Sequence, residues 1–169
     1  MPLPFSLVWS GDHLQLLDQR CLPEQIHYLR LHQWRDVQQA ISTMAVRGAP
    51  AIGIAAAWGV VLAARSGDDL EEALVALRGA RPTAVNLGWA LDRMQQAINN
   101  QIEADPVGLE AVAASIQADD RMLTQQLVDH GVGLLPPNCS VLHHCHTGAI
   151  ATGLSLIHIS EPTRPNEIA

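Results

Sequence analysis

Residues 47–64 read RGAPAIGIAAAWGVVLAA, and this stretch decides the fold. Proline is favoured at the start of a helix, so Pro50 marks a helix that continues to about Ala64. The helix is apolar on nearly every side, and such helices belong in the centre of a protein core. The apolar run from Ala51 to Ala64 falls short of the roughly 18 residues that a membrane span requires, so we expect no membrane association.

The sequence on either side predicts further helices that pack around this one. Before it, a helical period places five residues on one side: Trp34, Val37, Ala40, Ile41 and Met44. After it, helices are predicted over residues 70–77, 84–102 and 105–128. The last of these is amphipathic, and its predicted inward side comprises Leu109, Val112, Ile116, Met122, Leu123 and Leu127. The tryptophans in helical stripes are predicted to pack in the core: Trp34, Trp58 and Trp89.

Alternating apolar residues predict a small antiparallel sheet near the start of the chain. Residues 7–9 and 13–17 flank a Ser-Gly-Asp turn as a hairpin, and residues 26–31 alternate as a third strand. A linker rich in glycine and proline then precedes residues 140–144, which read as a buried strand. We therefore predict a mostly helical domain with a small sheet over residues 1–135, followed over residues 136–153 by the first strand of a second domain.

The composition narrows the classes of function. The 169 residues are 48% apolar and 16% charged, which is ample material for a core. Ten arginines against seventeen acidic residues give a net charge of −7, which argues against a broad surface that tracks nucleic-acid phosphates. The sequence contains no lysine, so these residues cannot form a Walker-type phosphate loop or supply a lysine nucleophile or base.

The start of the chain and the cysteines indicate a compartment. Met1 is not followed by a basic segment and an apolar core, so we expect no secretory signal. The three cysteines, Cys21, Cys139 and Cys145, form no even, spaced framework of disulfides. We therefore expect a reducing, cytoplasmic environment.

Two loops that precede predicted helices are candidate anion-binding sites. Gly48 and Ala49 lie at a helix N-terminus, where free N–H groups and the helix dipole favour an anion, and Arg47 adds a planar fork that matches phosphate oxygens. Arg81 stands in a similar loop, ahead of the helix predicted over residues 84–102. The alternatives are a turn in which Arg47 pairs with a carboxylate and a solvated loop arginine at position 81.

The run His143-His144-Cys145-His146 is a candidate for metal binding or thiol chemistry. Successive residues of a strand point to opposite faces, so four adjacent ligands cannot converge on one ion without a sharp turn, and we predict no metal site. Cys145 at a strand end, ahead of Thr147 and Gly148, is placed either as an active-site thiol or as a small buried apolar residue.

The last residues of the chain are expected to be foreign to the protein. Residues 154–164 read LSLIHISEPTR, which matches the translation of a transposase sequencing adapter. Segments of this kind are set aside before fold reasoning, so we exclude residues 154–169 and expect an N-terminal fragment that ends near Gly153.

Three blocks of the sequence together resemble the methylthioribose-1-phosphate isomerase family. They are MAVRGAPAIG at residues 44–53, RPTAVNL at residues 81–87 and HCHTGAIAT at residues 144–152, and LLDQRCLP at residues 16–23 fits the same family. Relatives of that family include ribose-1,5-bisphosphate isomerases and the regulatory subunits of translation initiation factor 2B. The resemblance covers residues 1–153 and implies that a Rossmann-like α/β domain starts near residue 136, which gives an α+β / α/β fold class.

The resemblance also implies roles for individual residues. Arg47, Gly48 and Ala49 match the family's substrate-binding loop, Arg81 matches its second substrate arginine, and Cys145 matches the cysteine that stabilises the transition state. The family's catalytic aspartate and an Asn-Lys substrate pair lie beyond residue 153, so the fragment itself is expected to be inactive.

The function implied is an aldose-ketose isomerase of methionine salvage. It acts on a sugar phosphate without metal or cofactor and forms a homodimer at full length. One position departs from the pattern, because His146 stands where this family usually has asparagine and matches its relatives instead. A ribose-1,5-bisphosphate isomerase, a non-catalytic module that binds sugar phosphates or nucleotides, and a zinc-binding module are the alternatives.

Overall fold

The computed structural model describes residues 4–100, 105–136, 138–140, 142, 144 and 148–153. Within them, a small sheet leads into a bundle of helices. The strands are β1 (Leu7–Trp9), β2 (Leu14–Leu17) and β3 (Tyr28–Leu31), with a 3-10 helix at Gln19–Cys21. The α-helices are α1 (Trp34–Ser42), α2 (Ala49–Ser66), α3 (Leu70–Ala80), α4 (Val85–Asn99) and α5 (Pro106–Val132). A mostly helical domain with a small antiparallel sheet is therefore confirmed.

The sheet is a meander in which β2 pairs antiparallel with both β1 and β3. The register sets Leu7 opposite Leu16 and Leu14 opposite Leu31. All four side chains are buried, because alternate residues of a strand share a face and this face packs against the helices. The predicted hairpin and third strand are confirmed.

Helix α2 runs through the middle of the bundle and packs against α1, α3, α4 and α5. Every residue from Ala51 to Ala63 is buried, which confirms the predicted central helix. Full burial of each large aliphatic side chain stabilises the fold by about 1.5–3 kcal/mol relative to exposure. The core is therefore organised around the stretch that follows Pro50.

Helix α2 is longer than the apolar run noted in the sequence. With 18 residues and a mean hydropathy of 1.4, the helix is long and apolar enough to cross a membrane by length and composition alone. The helix therefore reaches the length of a membrane span, although the apolar run inside it, Ala51 to Ala64, does not. In this structure 72% of the helix is buried against the rest of the chain, as in the core helix of a folded domain.

The first turns of α2 and α4 approach each other closely. A β-carbon at Gly53 would lie 2.7 Å from the backbone carbonyl oxygen of Asn86, closer than two such atoms can pack. Glycine at this position therefore lets the start of α2 lie directly against the start of α4. The two loops that precede these helices are brought to the same end of the bundle.

Helix α1 ends earlier than its apolar pattern predicts. The N–H of Ala45 bonds to Ala40 O and the N–H of Met44 bonds to Ile41 O, which is the Schellman pattern of a helix C-terminus. Met44 takes the left-handed position of that motif, with φ of 59°, and its side chain is exposed. The prediction that Met44 continues the apolar stripe of this helix is wrong, and the sequence did not signal the earlier ending because the usual glycine is absent.

The second half of α5 also departs from its predicted packing. Leu109 and Ile116 are buried as expected, but Met122, Leu123 and Leu127 are exposed. Helix α5 has 27 residues and α2 has 18, so α5 is about 40 Å long against about 27 Å and extends past its partner. The apolar period marks one side of α5, but the described residues do not cover that side in the C-terminal half of the helix.

The predicted strand at residues 140–144 does not form among its described positions. Ser140, Leu142 and His144 have no strand pairing, and the Leu142 side chain is 99% exposed. A buried strand requires neighbouring strands, and the described residues place none beside this segment. The prediction of a buried strand is therefore wrong for these residues, and the boundary near residue 135 remains a prediction. Residues 154–169 lie outside the described residues.

Candidate functional site

The loop before α2 holds the first set of predicted site residues. Gly48 is the N-cap of α2, with φ of 94°, a conformation that L side chains rarely adopt. A β-carbon there would lie 2.3 Å from the carbonyl oxygen of Ala151. Gly48 therefore serves both the turn and the close approach of the segment 148–153, which we call the docked segment.

A single buried glutamine ties the docked segment to this loop. The Gln19 amide nitrogen donates to the carbonyl oxygen of Ile150 at 2.8 Å and to that of Arg47 at 3.2 Å. Gln19 is 8% exposed, so both bonds are shielded from solvent. The backbone N–H of Ala51 adds a bond to Ala151 O at 3.3 Å. Two motifs that lie far apart in the sequence are thus joined through one side chain.

The far end of the docked segment is held by α5. Arg121 donates from Nε to the carbonyl oxygen of Gly153 at 2.8 Å, and Gly153 donates its N–H to Asp120 Oδ2 at 2.7 Å. Gln117 donates to the same carbonyl at 3.4 Å, and its amide oxygen accepts from the Trp58 indole at 3.1 Å. The segment is therefore fixed at both ends.

The Asp120 carboxylate lies in a partly desolvated position. Burial raises the pKa of Asp120, while the hydrogen bond from the Gly153 N–H and the nearby Arg121 charge act in the opposite direction. Burial dominates because it removes water from the charged form. A carboxylate of raised pKa therefore stands at the end of the docked segment.

The Arg47 side chain contains a hydrogen-bond donor that has no acceptor among the described residues. Its Nε is buried and has no hydrogen-bond partner among the described residues, although the side chain as a whole is only half-buried. A buried donor without a partner costs about 1–3 kcal/mol. In the described part of the chain no carboxylate pairs with Arg47, so the alternative of a structural ion pair finds no support.

The helix end beside Arg47 is only partly available to an anion. The N–H of Ala51 is occupied by Ala151 O, and Pro50 has no N–H. Ala49 is exposed at the first helical position, where an N–H has no partner within its own helix. The donors left for an anion are those of Gly48 and Ala49 together with the Arg47 guanidinium.

Next to this loop, the first turns of α2 and α4 and the middle of α5 line a half-open pocket of about 320 Å³. Its lining is mostly apolar, with acidic groups from α5 on one side. The residues that line it include Pro50, Ile54, Asn86, Ile116, Asp119 and Asp120. Trp89 also borders it and is 49% exposed, so the prediction that Trp89 is a core residue is wrong.

Arg81 lies at the C-cap of α3 and opens the loop that leads into α4. The N–H of Ala84 bonds to Arg81 O at 3.0 Å, which turns the chain into the first turn of α4. Its side chain is half-buried and forms no ion pair within the described ranges. The loops of Arg47 and Arg81 thus precede two helix starts that meet at Gly53.

Cys145, with His143, His146 and Thr147, lies outside the described residues. Its role as a catalytic thiol stays a prediction. In the sequence, Gly148 of the docked segment stands three positions after Cys145.

Sequence reasoning missed the residues that hold the docked segment. Gln19, Gln117 and Asp120 act through single hydrogen bonds to backbone atoms of distant residues, and no local period marks such contacts. Gln19 lies in the LLDQRCLP block that carries the resemblance, and this was the one available signal.

Comparison with known proteins assigns the chain to a family. Residues 45–162 match the initiation factor 2 subunit family, so the chain belongs to that family. Its curated relatives include proteins named methylthioribose-1-phosphate isomerase, which confirms the resemblance seen in the sequence. The protein from Parasynechococcus marenigrum (strain WH8102) is 67% identical over 152 residues, which is 90% of this chain and 45% of the relative. The one from Alkalilimnicola ehrlichii is 51% identical over 158 residues, again 45% of the relative.

Solved structures of the same family share the fold. The 5-methylthioribose 1-phosphate isomerase from Pyrococcus horikoshii OT3 matches with a TM-score of 0.81 and 30% identity, over 89% of this chain and 46% of that one. Translation initiation factor eIF-2B, subunit delta, from A. fulgidus matches with a TM-score of 0.73 and 31% identity, over 89% and 47%. The chain therefore spans about half the length of the curated relatives and structures it matches.

Proposed function

We propose that this chain is the N-terminal part of an aldose-ketose isomerase that converts 5-methylthioribose 1-phosphate to 5-methylthioribulose 1-phosphate in methionine salvage. The observation that carries the proposal is the junction of two motifs, the Arg47 loop and the docked segment, through Gln19. Relatives that are 63–67% identical and bear the isomerase name support the same reading. Because the chain spans under half of those relatives, the activity is proposed for the polypeptide that also carries the remaining length.

Arg47 and the first N–H groups of α2 bind the phosphate in this proposal. The orphaned Arg47 Nε supplies a donor that a phosphate oxygen satisfies, and Gly48 lets the ligand approach the backbone. Arg81 contributes a second guanidinium from the neighbouring helix start. Two convergent cations hold the phosphate and so fix the reacting carbons of the sugar.

The chemistry follows from the substrate. The phosphate blocks C1, so the ring cannot open to a free aldehyde, and an acid must protonate the ring oxygen while hydrogen moves from C2 to C1. Charge develops near C1 and C2 by either a proton or a hydride route. Cys145 acts there as a polarisable donor or a proton carrier, and the ring-opening acid is an aspartate in the remaining length. The proposal uses no metal or cofactor.

The compartment, oligomeric state and partners of the proposed enzyme are taken from the sequence expectations. We propose a cytoplasmic homodimer that takes a small sugar phosphate and binds neither nucleic acid nor membrane. A non-catalytic module that binds sugar phosphates is the second candidate, supported by the structural likeness to the initiation factor subunit from A. fulgidus. A ribose-1,5-bisphosphate isomerase is the neighbouring enzyme, and competition between the two substrates separates it.

The test is isomerisation by a polypeptide in which residues 1–153 are followed by the remaining length of its relatives. We expect turnover of methylthioribose 1-phosphate in the presence of a chelator. Arg47→Ala is expected to weaken binding of the sugar phosphate by about 1.5–3 kcal/mol, as for a hydrogen bond to a charged group. Arg30→Ala, which removes an exposed arginine on β3, is the control and is expected to bind as the native protein does.

Turnover without loss in Arg47→Ala would remove Arg47 from the site. Binding of the sugar phosphate without any turnover would favour the non-catalytic module. Preference for ribose 1,5-bisphosphate over the methylthio sugar would favour the neighbouring enzyme.

A further inference from the structure

His13 and His32 lie next to each other at one end of the sheet, outside the Arg47 and Arg81 loops. The register of β2 and β3 pairs Leu14 with Leu31, so one further step along the ladder sets His13 opposite His32. Their ring centroids are 4.9 Å apart. Cross-strand neighbours on one face are close enough for their side chains to act on one ligand.

Asp12 fixes the orientation of the first histidine. His13 Nδ1 lies 2.6 Å from Asp12 Oδ1, a hydrogen bond that holds the imidazole in place. An imidazole whose Nδ1–H is bonded to a carboxylate presents the lone pair of Nε2 on its other side. The turn residue therefore selects the tautomer in which His13 Nε2 is a ligand atom.

That ligand atom is without a partner. His13 Nε2 is buried and forms no hydrogen bond with the described residues. His32 is exposed, so its ring can turn without disturbing the core. One ligand atom each from Asp12, His13 and His32 lies within 4.8 Å of the other two. Zinc bonds imidazole nitrogen at about 2.0–2.1 Å, so the ligand atoms of His13 and His32 must come closer together to share one ion. Rotation of the exposed His32 ring provides this approach.

We propose that His13 and His32 bind a divalent transition-metal ion such as zinc, with Asp12 as the carboxylate that orients His13. The arrangement of carboxylate, histidine and metal is the usual second shell of protein zinc sites. Water completes the coordination on the side of His32, whose side chain is exposed. The ion joins the β1–β2 turn to the end of β3, and the site plays no part in the proposed isomerisation.

A second group of metal-ligating side chains is a poorer candidate. Asp18, Cys21 and His27 also approach one another, but Arg20 already occupies both oxygens of the Asp18 carboxylate, at 2.7 and 2.6 Å. A metal there would have to displace this ion pair. The Asp12 group has no such competitor among the described residues.

The experiment is a zinc titration of the 169-residue chain, followed by the ring ¹⁵N resonances of its histidines. We expect the Nε2 resonances of His13 and His32 to shift together at substoichiometric zinc, and the melting temperature to rise with zinc concentration. His32→Gln is expected to weaken this binding at least tenfold, and Asp12→Asn by about tenfold, as for a second-shell partner. His130→Gln, which alters an exposed histidine at the end of α5, is the matched control and is expected to bind as the native chain does.

His32 carries the main test because it is exposed, so its substitution leaves the fold intact. His13→Gln is judged by zinc affinity after circular dichroism has verified its fold. Native zinc affinity in His32→Gln, or unmoved His13 resonances at saturating zinc, would overturn the proposal. Loss of binding in Cys21→Ser or Cys145→Ser with retention in His32→Gln would also overturn it, since the ion would then lie elsewhere.

Discussion

Gly48 and Ala151 touch backbone to backbone, and the contact leaves no room for a side chain on Gly48. A β-carbon there would also lie 2.5 Å from the Ala151 α-carbon. The loop that carries Arg47 and the docked segment therefore have one fixed spacing. A phosphate bound at the start of α2 would therefore lie beside the docked segment.

Gly48→Ala is expected to lower the free energy of unfolding by at least about 1–3 kcal/mol, the usual cost of a conformation reserved for glycine. The clash with Ala151 adds to this, because the atom in the way is backbone. Urea unfolding measures the change. Gly79→Ala is the control, since a β-carbon at Gly79 in α3 meets nothing within 4 Å. It is expected to stabilise the chain by about 0.5–1 kcal/mol through helix propensity, and equal losses in both variants would contradict the argument.

Gln19→Leu is expected to cost about 1–3 kcal/mol, because it leaves the carbonyl groups of Arg47 and Ile150 without their shared donor. Hydrogen exchange should show faster exchange at the Ala51 N–H, which bonds to the same segment. Gln96→Leu alters an exposed glutamine of α4 and is expected to change stability by no more than about 0.5 kcal/mol. An unchanged exchange rate of the Ala51 N–H in Gln19→Leu would show that Gln19 does not hold the docked segment in place.

Asp120→Asn is expected to change the pH dependence of stability. Burial raises the pKa of Asp120, so between its unfolded and folded pKa values the folded chain holds more protons than the unfolded chain. Stability from this group is therefore complete below the unfolded pKa and is lost as pH rises through the folded pKa. Asparagine has no such proton, so the variant should gain stability relative to the native chain from about pH 3 to pH 7. Urea unfolding at both pH values tests this, and a difference that does not vary with pH would contradict it.

Cys145→Ser in the complete polypeptide is expected to lower kcat by about 10² or more with little change in KM, as for the loss of a positioned proton carrier. Steady-state kinetics with methylthioribose 1-phosphate measure both constants. Cys139→Ser removes an exposed thiol nearby in sequence and is the control. An unchanged kcat in Cys145→Ser would remove the thiol from the mechanism.

Much of the helical fold was predictable, because it follows from local apolar periods. The central helix, the hairpin and the third strand all read directly from alternation or from an apolar run. The end of α1 was not predictable, since Met44 takes a left-handed position that sequence rules assign to glycine. The exposed half of α5 was not predictable either, because a helical period shows which side is apolar and not whether a partner covers it.

The positions of Arg47 and Gly48 before a helix start were predictable from the sequence, and the residues that hold the docked segment were not. Arg47 and Gly48 stand in a loop whose chemistry is local, and their position before a helix start is visible in the sequence. Gln19 acts on a carbonyl 131 residues away, and Asp120 on an N–H 33 residues away. Contacts of this range depend on the packing of α2 against α5, which no local pattern specifies.

Gln19, Ala51 and Arg121 donate hydrogen bonds to main-chain oxygens of the docked segment, and Asp120 accepts one from the main-chain N–H of Gly153. Ser6 likewise donates its hydroxyl to a main-chain oxygen, that of Thr152. Every amino acid presents the same carbonyl and, proline aside, the same N–H. The side chain of Ile150 can therefore change without loss of these hydrogen bonds, whereas Gln19, Arg121 and Asp120 act through their side chains and cannot be replaced freely.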